Sequence, residues 1–326
     1  MCSSIGGDIL IDIINLVHSD DLQALSNCNV HTNCIIHQPK FLKKVVHTIN
    51  CNITQFIDRN FYSVVLWIVI DGEHLSLCKY FVSNNSSIIC CALCIAAING
   101  NMPLCKYLVS QGANNFNDAF AYAALCNEIE ICKYLVTLGA NNFNHALSDA
   151  ADDGHFEMCK YIVNLGATDF NGALRQAALS GNLELCKYLV TLGATNFNES
   201  LIQAVSSKNL ELCKYIVSLG ATNINEAIIQ SVNNDHFEIC KYFVSIGADN
   251  FDEVLKQAAH FGHLKICKYM IKLGATNFNE AFNEGVRKHH LYICKYFISI
   301  GVIKYNNALN WISTLNNSNM HLLFIE

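Results

Sequence analysis

The sequence predicts an all-α fold, an α-solenoid of stacked helix–turn–helix repeats behind a small N-terminal helical segment. Three observations carry this. Cys-Lys-Tyr occurs nine times, at Cys78, Cys105, Cys132, Cys159, Cys186, Cys213, Cys240, Cys267 and Cys294, each 27 residues after the last. A fixed period of this size marks one supersecondary unit stacked many times. Inside each unit, apolar residues run twice at helical spacing with a break between. The composition agrees: 52% hydrophobic, 15% charged and two prolines in 326 residues describe a chain that buries surface and is mostly helical.

Residues 1–45 lack the repeat. The pairs Ile9/Leu10, Ile13/Ile14 and Leu16/Val17 have the spacing of an amphipathic helix. Ser19 or Asp20 can cap a second helix carrying Leu22 and Leu25, and a third apolar stretch, Ile35-Ile36, leads to Pro39 and Phe41. Three short helices make too small a core to stand alone, so they dock on the array, on a partner, or on both. The order Ile5, Asp8-Ile9-Leu10, Asp21-Leu22, Leu25-Ser26, Pro39 resembles a degenerate F-box, with Gly6 where that family usually has proline and Phe41 as the downstream aromatic. The resemblance implies that Ile9, Leu10, Ile13, Leu22, Leu25 and Pro39 bind the adaptor subunit of a cullin–RING ubiquitin ligase. The alternative is a helical cap sealing the first repeat. Cys28, His31, Cys34 and His37 invite a zinc reading; on a helix the outer two would lie about 13 Å apart, too far for ligands at about 2.0–2.3 Å from one metal, whereas a loop could bring them together. Residues 46–61 connect this segment to the array.

The array is expected over residues 62–326, as about nine units and a truncated tenth from Asn306, with Trp311 covering the last core layer. The first unit is degraded, with Asn85 where glycine belongs. In the unit beginning at Asn171, that residue and its counterparts Asn117, Asn144, Asn198, Asn225, Asp252, Asn279 and Asn306 are N-cap types. Ala173, Leu174, Ala177 and Ala178 form the buried side of the first helix. Gly181 breaks the chain, as do Gly100, Gly154, Gly262, Asn127 and Asp235, residues that tolerate the left-handed conformation. Lys208 and His289 fit this role less well, and their turns are expected to differ. Leu183, Cys186, Leu189 and Val190 are spaced for burial on the second helix, which Gly193 ends. At about 8–10 Å per unit the array would be an arc on the order of 80–90 Å.

The wording Ala-Ala-x-x-Gly-Asn/His-Leu/Phe-Glu-x-Cys-Lys-Tyr-Leu-Val-x-x-Gly-Ala is similar to the ankyrin repeat. The ankyrin unit has about 33 residues, whereas this one has 27, and the shortfall lies where the family carries its β-hairpin and Thr-Pro-Leu-His; Thr195-Asn196-Phe197-Asn198 stands there instead. Little or no β structure is expected. The Cys-Lys-Tyr and Asn-Phe-Asn wording resembles the ankyrin arrays of giant DNA viruses, which would place the protein in a host cytoplasm. The resemblance implies a protein-interaction scaffold with first helices on the concave side.

Composition and motifs narrow the function classes. A net charge of −6 suits no bulk polyanion, so no nucleic-acid partner is expected. The apolar runs 64–70 and 88–98 fall short of the roughly 20 residues a bilayer needs, so no membrane partner is expected. The odd cysteine count of 17, nine of them at one repeat position, and a start without a basic leader suggest small core thiols in a reducing intracellular compartment. No nucleotide-binding, nucleophile-elbow or zinc-protease motif is present, so neither enzyme activity, cofactor nor metal is expected. His74, His155, His236, His263 and His290 share one position at the helix–helix turn, where a structural role is expected, and Cys91 and Cys94 read as core. Glu130, Glu157, Glu184, Glu211 and Glu238 stand three residues before their lysines, in reach for pairing. A binding surface should instead vary between copies. The two positions after the apolar pair of the first helix do: Ala121-Tyr122, Ser148-Asp149, Arg175-Gln176, Ile202-Gln203, Ile229-Gln230, Lys256-Gln257 and Asn283-Glu284. The candidate protein-binding residues are therefore Tyr122, Ser148, Asp149, Arg175, Gln176, Gln203, Gln230, Lys256, Gln257, Asn283 and Glu284, on a monomer.

Overall fold

The computed structural model describes residues 89–303, and every described element is an α-helix. The helices are α1 (Ile89–Ile98), α2 (Met102–Ser110), α3 (Phe116–Leu125), α4 (Ile129–Thr137), α5 (Phe143–Asp152), α6 (Phe156–Asn164), α7 (Phe170–Leu179) and α8 (Leu183–Thr191). They continue as α9 (Phe197–Ser206), α10 (Leu210–Ser218), α11 (Ile224–Asn233), α12 (Phe237–Ser245), α13 (Phe251–Phe261), α14 (Leu264–Lys272), α15 (Phe278–Arg287) and α16 (Leu291–Ser299). Odd-numbered helices are the first helix of a repeat and even-numbered ones the second. The N-terminal segment, the zinc-like Cys/His run, His74, the degraded first unit and the truncated tenth with Trp311 lie outside the described residues.

The described chain forms two compact units, one of residues 89–150 with 160–166, the other of 151–159 with 167–303. In the first, α1 packs on α2 and α3, and α3 on α4. In the second, each first helix packs on its own second helix and on the next first helix, from α7 through α15.

Alanine makes the close approach possible. Ala173, Ala177 and Ala178 of α7 are fully buried, as are Ala258 and Ala259 of α13. The second helix buries two of the four residues expected, with Leu185 in place of the other two. Leu185, Cys186 and Leu189 are fully buried, whereas Leu183 and Val190 are only half-buried. Leu185 sits one residue before the cysteine, and that neighbouring pair points inward together. Each fully buried leucine contributes roughly 1.5–3 kcal/mol, so these triplets and the alanine faces dominate the stability. The eight described Cys-Lys-Tyr cysteines are all buried and free. Burial pushes their thiols up to about 12, as at Cys186 and Cys213, so they are inert core residues.

Both turns of the repeat close in the same way. Gly193, at φ 106°, donates its N–H to Val190 O, and Ala194 donates to Leu189 O. This is a Schellman motif with Ala194 buried beside Leu189. At the inner turn Gly181 donates to Ala178 O and Asn182 to Ala177 O. Lys208 and His289 do not make a different turn: each sits at φ 62°, beside Gly181 at 75°. Stacking on neighbouring repeats imposes the conformation even where the residue disfavours it.

The Asn171 column is not the helix cap. First helices begin one residue earlier, at the phenylalanine or isoleucine, and the cap residues, two before the column, are Asn115, Asp169, Asn196, Asn223, Asn250 and Asn277. Of these, Asp169 caps with its side chain, accepting from Gly172 N at 2.9 Å. The Asn171 column instead ties repeat to repeat. Asn171 Oδ1 accepts from Thr195 N (2.7 Å) and Asn196 N (3.2 Å), while Asn196 Nδ2 donates back to Asn171 O (2.9 Å). Asn198 with Asn223, and Asn225 with Asn250, repeat the reciprocal pair. In the first unit Asn117 accepts from Asn141 N and receives Asn142 Nδ2 on its carbonyl. This ladder occupies the place of the missing β-hairpin, and the described residues contain no strand.

Candidate protein-binding face

The first helices of the second unit share one register and pack in sequence, so their variable positions form one continuous strip. Arg175 is exposed on α7. Gln176, Gln203 on α9, Gln230 on α11, Lys256 and Gln257 on α13, and Asn283 and Glu284 on α15 are half-buried. Ile202 and Ile229, also half-buried, give the strip apolar patches. In the first unit Tyr122 is 44% exposed on α3, and Ser148 and Asp149 are half-buried on α5. Ala121 departs from expectation. It is buried on α3, unlike Arg175 at the same register of α7.

The strip is cross-linked between helices. Gln230 Nε2 donates to Ser206 Oγ on the previous first helix at 3.1 Å. His260 Nδ1 meets Glu284 Oε2 of the next at 2.8 Å. Arg287 pairs with the other oxygen of Glu284. Lys256 pairs with Glu253 at 2.9 Å and reaches Glu280 at 4.0 Å, and Gln257 donates to Glu253 at 2.9 Å. Burial tends to raise the Glu284 carboxyl, but hydrogen bonds from His260 and Arg287 outweigh it and hold it low. The Gln257 and Lys256 hydrogen bonds hold Glu253 low, and Glu253 in turn raises Lys256. The α13–α15 end is therefore a preorganised set of charges, able to present fixed donors and acceptors to a ligand with little reordering. Tyr122 and the His145–Asp149 pair at 2.7 Å are the polar features of the first unit's corresponding positions.

Ser206, His260 and Arg287 belong to this strip, one helical turn beyond Ile202, Lys256 and Asn283, and they were not among the expected residues. The i+4 spacing on the same helix was the signal that could have found them.

The histidine column sits at the second-helix cap. His290 Nε2 meets His260 O at 2.9 Å, and His263 Nδ1 lies 3.3 Å from Asp235. Asparagine at the same position does the job more fully. Asn182 accepts from Leu185 N and donates to Gly154 O, as Asn209 does with Leu212 N and Gly181 O. The described tyrosines after the column lysines are half-buried, and burial raises the hydroxyls of Tyr134, Tyr161, Tyr215 and Tyr242. Four glutamate–lysine pairs expected on the second helices are present, at 2.6–2.7 Å. Such exposed pairs contribute little to stability. Among the described residues no group of three or more His, Cys, Asp or Glu could hold a metal ion, and no helix is long and apolar enough to cross a membrane. The adaptor-binding candidates Ile9, Leu10, Ile13, Leu22, Leu25 and Pro39 lie outside the described residues.

Residues 65–146 and 201–281, together half of the chain, match the family model described as ankyrin repeats in three copies. No curated protein sequence matches the chain. Among solved structures the chain is similar to the crystal structure of the human ASB11 ankyrin repeat domain, with 19% identity, a TM-score of 0.40, and coverage of 48% of this chain and 84% of that one.

Proposed function

Because the chain belongs to the ankyrin-repeat family, whose arrays are protein-interaction scaffolds, we propose that it holds a protein partner on the polar strip of its first helices. One observation carries this. The buried positions and the asparagine ladder hardly change between repeats, while the first strip position varies, from Arg175 through Ile202 and Ile229 to Lys256 and Asn283, beside a glutamine that recurs from Gln176 to Gln257 and gives way to Glu284. A surface with no ligand to read has no use for that variety on so uniform a frame. The half-buried Ile202 and Ile229 supply the apolar contact and the fixed charges around Glu253 and Glu284 the specificity, the usual division at an interface.

In the fuller reading the protein is a substrate adaptor. Residues 5–45, with their F-box-like order, recruit a host cullin–RING ligase through its adaptor subunit, and the array presents the target. The F-box-like order of Asp8-Ile9-Leu10, Asp21-Leu22 and Pro39 supports it. If that segment only caps the array, the protein is a plain interaction scaffold, working as a monomer inside the cell. Affinity capture from eukaryotic lysate separates the two. The full chain should bring down the ligase adaptor and cullin, and a full-length Leu10→Arg/Leu22→Arg variant should not. Capture of neither by the folded full chain refutes the adaptor role and leaves the scaffold.

A further inference from the structure

The outer side of the second helices is electrically neutral along most of the second unit. On α8, α10 and α12 each column lysine is matched by a glutamate three residues earlier, at 2.7 Å. The pattern then stops. On α14 that glutamate is replaced by Lys265, and on α16 by Tyr292, so neither helix contains an acidic residue. Lys265, Lys268, Lys272 and Lys295 are all exposed, on two helices that pack against each other. Tyr292, 49% exposed, stands among them. Aromatic rings hold some of these cations in place: Lys265 Nζ lies 4.1 Å from the Phe237 ring centroid and Lys268 Nζ 5.1 Å from that of Tyr296. Glu238 is the neighbouring carboxylate, and it is already engaged by Lys241 at 2.7 Å. It titrates low because of the Lys241 hydrogen bond, with Lys265 adding to the effect.

We propose that the α14–α16 face is a second interaction surface, which docks an acidic segment of a protein partner, its carboxylates on Lys265, Lys268 and Lys295 and an apolar side chain on Tyr292. Two features select this occupant over a nucleic acid or an anionic membrane. The whole chain carries a net charge of −6, which repels a long polyanion or an extended anionic surface. A short acidic segment feels only the field within about 10 Å, which here is positive. The chain's own residues 304–326 cannot supply that segment, since they hold one acidic residue, Glu326, and one lysine, Lys304. The surface lies on the second helices and is independent of the first-helix strip, so either proposal can fail alone.

The test is a fluorescence-anisotropy titration of the full chain with a labelled peptide of alternating glutamate and glycine, against its glutamine counterpart. The glutamate peptide should bind, more weakly as salt rises, and the glutamine peptide should not. The Lys265→Glu/Tyr292→Glu variant restores the glutamates that α8, α10 and α12 carry, at the loss of the hydrogen bond that Tyr292 Oη donates to Gly262 O at 2.6 Å, so its helicity and urea midpoint are measured alongside. It should weaken binding about tenfold or more, and Lys268→Gln/Lys295→Gln, which alters no packing position, should weaken it in the same direction. Unchanged affinity in both variants overturns the proposal, as does equal binding of the glutamine peptide. Phosphatidylserine vesicles or a single-stranded RNA binding more tightly than the peptide, and released by the same substitutions, would overturn the choice of partner.

Discussion

Asn198 faces two repeats at once: its Oδ1 accepts Thr222 N at 2.7 Å and its carbonyl receives Asn223 Nδ2 at 3.1 Å. Removing the side chain in Asn198→Ala should cost about 1 kcal/mol, the net worth of one such bond, read from urea unfolding. Asn198→Asp should cost less, because Asp252 makes the same bonds to Thr276 N and Asn277 N in a later repeat. These bonds hold the Asp252 carboxyl below its ordinary value, the Asn277 one foremost. The sequence displayed this column as capping residues, and the type was right while the role was not. A side chain two residues into a helix looks like a cap until the height of the next repeat is known. At Lys208, held at φ 62°, the left-handed backbone costs a side-chain-bearing residue roughly 1–2 kcal/mol. Lys208→Gly should therefore stabilise the protein by about 1 kcal/mol, net of the entropy glycine loses on folding, and a lower urea midpoint would refute it.

At the scale of the helix and its turns, two histidine caps make stability depend on pH. Burial lowers His236 from its ordinary 6.5, with Lys208 adding to the effect. Burial also lowers His263, helped by His290 and opposed by Asp235. The unfolded chain then binds protons that the folded chain resists. Stability is fully present above about pH 6.5, the unfolded value, and falls as pH drops below it toward the folded values. Urea midpoints should fall between pH 7.5 and 5.5. His236→Asn, which copies Asn182 and Asn209, should flatten that fall, and an equally steep fall in the variant would count against the assignment. The second helices make a further prediction. Cys186 and its fellows, buried and with thiols near 12, should resist maleimide in the native protein and react on unfolding, whereas Cys91 on α1, expected in the core like Cys94 but exposed while Cys94 is half-buried, should react at once. The helix positions were legible because the 27-residue period repeats the alanine face and the Cys-Lys-Tyr face many times over. Which member of Leu183 and Leu185 turns inward was not, since both have apolar neighbours at helical spacing and only packing against the first helix decides between them.

Across the molecule, sequence and structure agree on the division of labour between constant and varied positions. Buried leucines, alanines and thiols recur, and the first-helix strip varies more, though Ile-Gln is shared by α9 and α11. That Arg175, Gln203, Gln230, Lys256 and Gln257 stand off the buried face was legible. The strip's links were not, since the His260–Glu284 and Gln230–Ser206 bonds join residues 24 apart, a separation that becomes contact only when two repeats stack. The most direct measurement is quantitative affinity capture with the full chain and a full-length variant carrying Arg175→Ala, Gln203→Ala, Gln230→Ala and Gln257→Ala, followed by affinity titration of the protein captured. The variant should keep its helicity and bind that partner at least tenfold more weakly, while Lys187→Ala on α8 leaves binding unchanged. Equal affinity for the wild-type chain and the strip variant would contradict a binding role for the first helices.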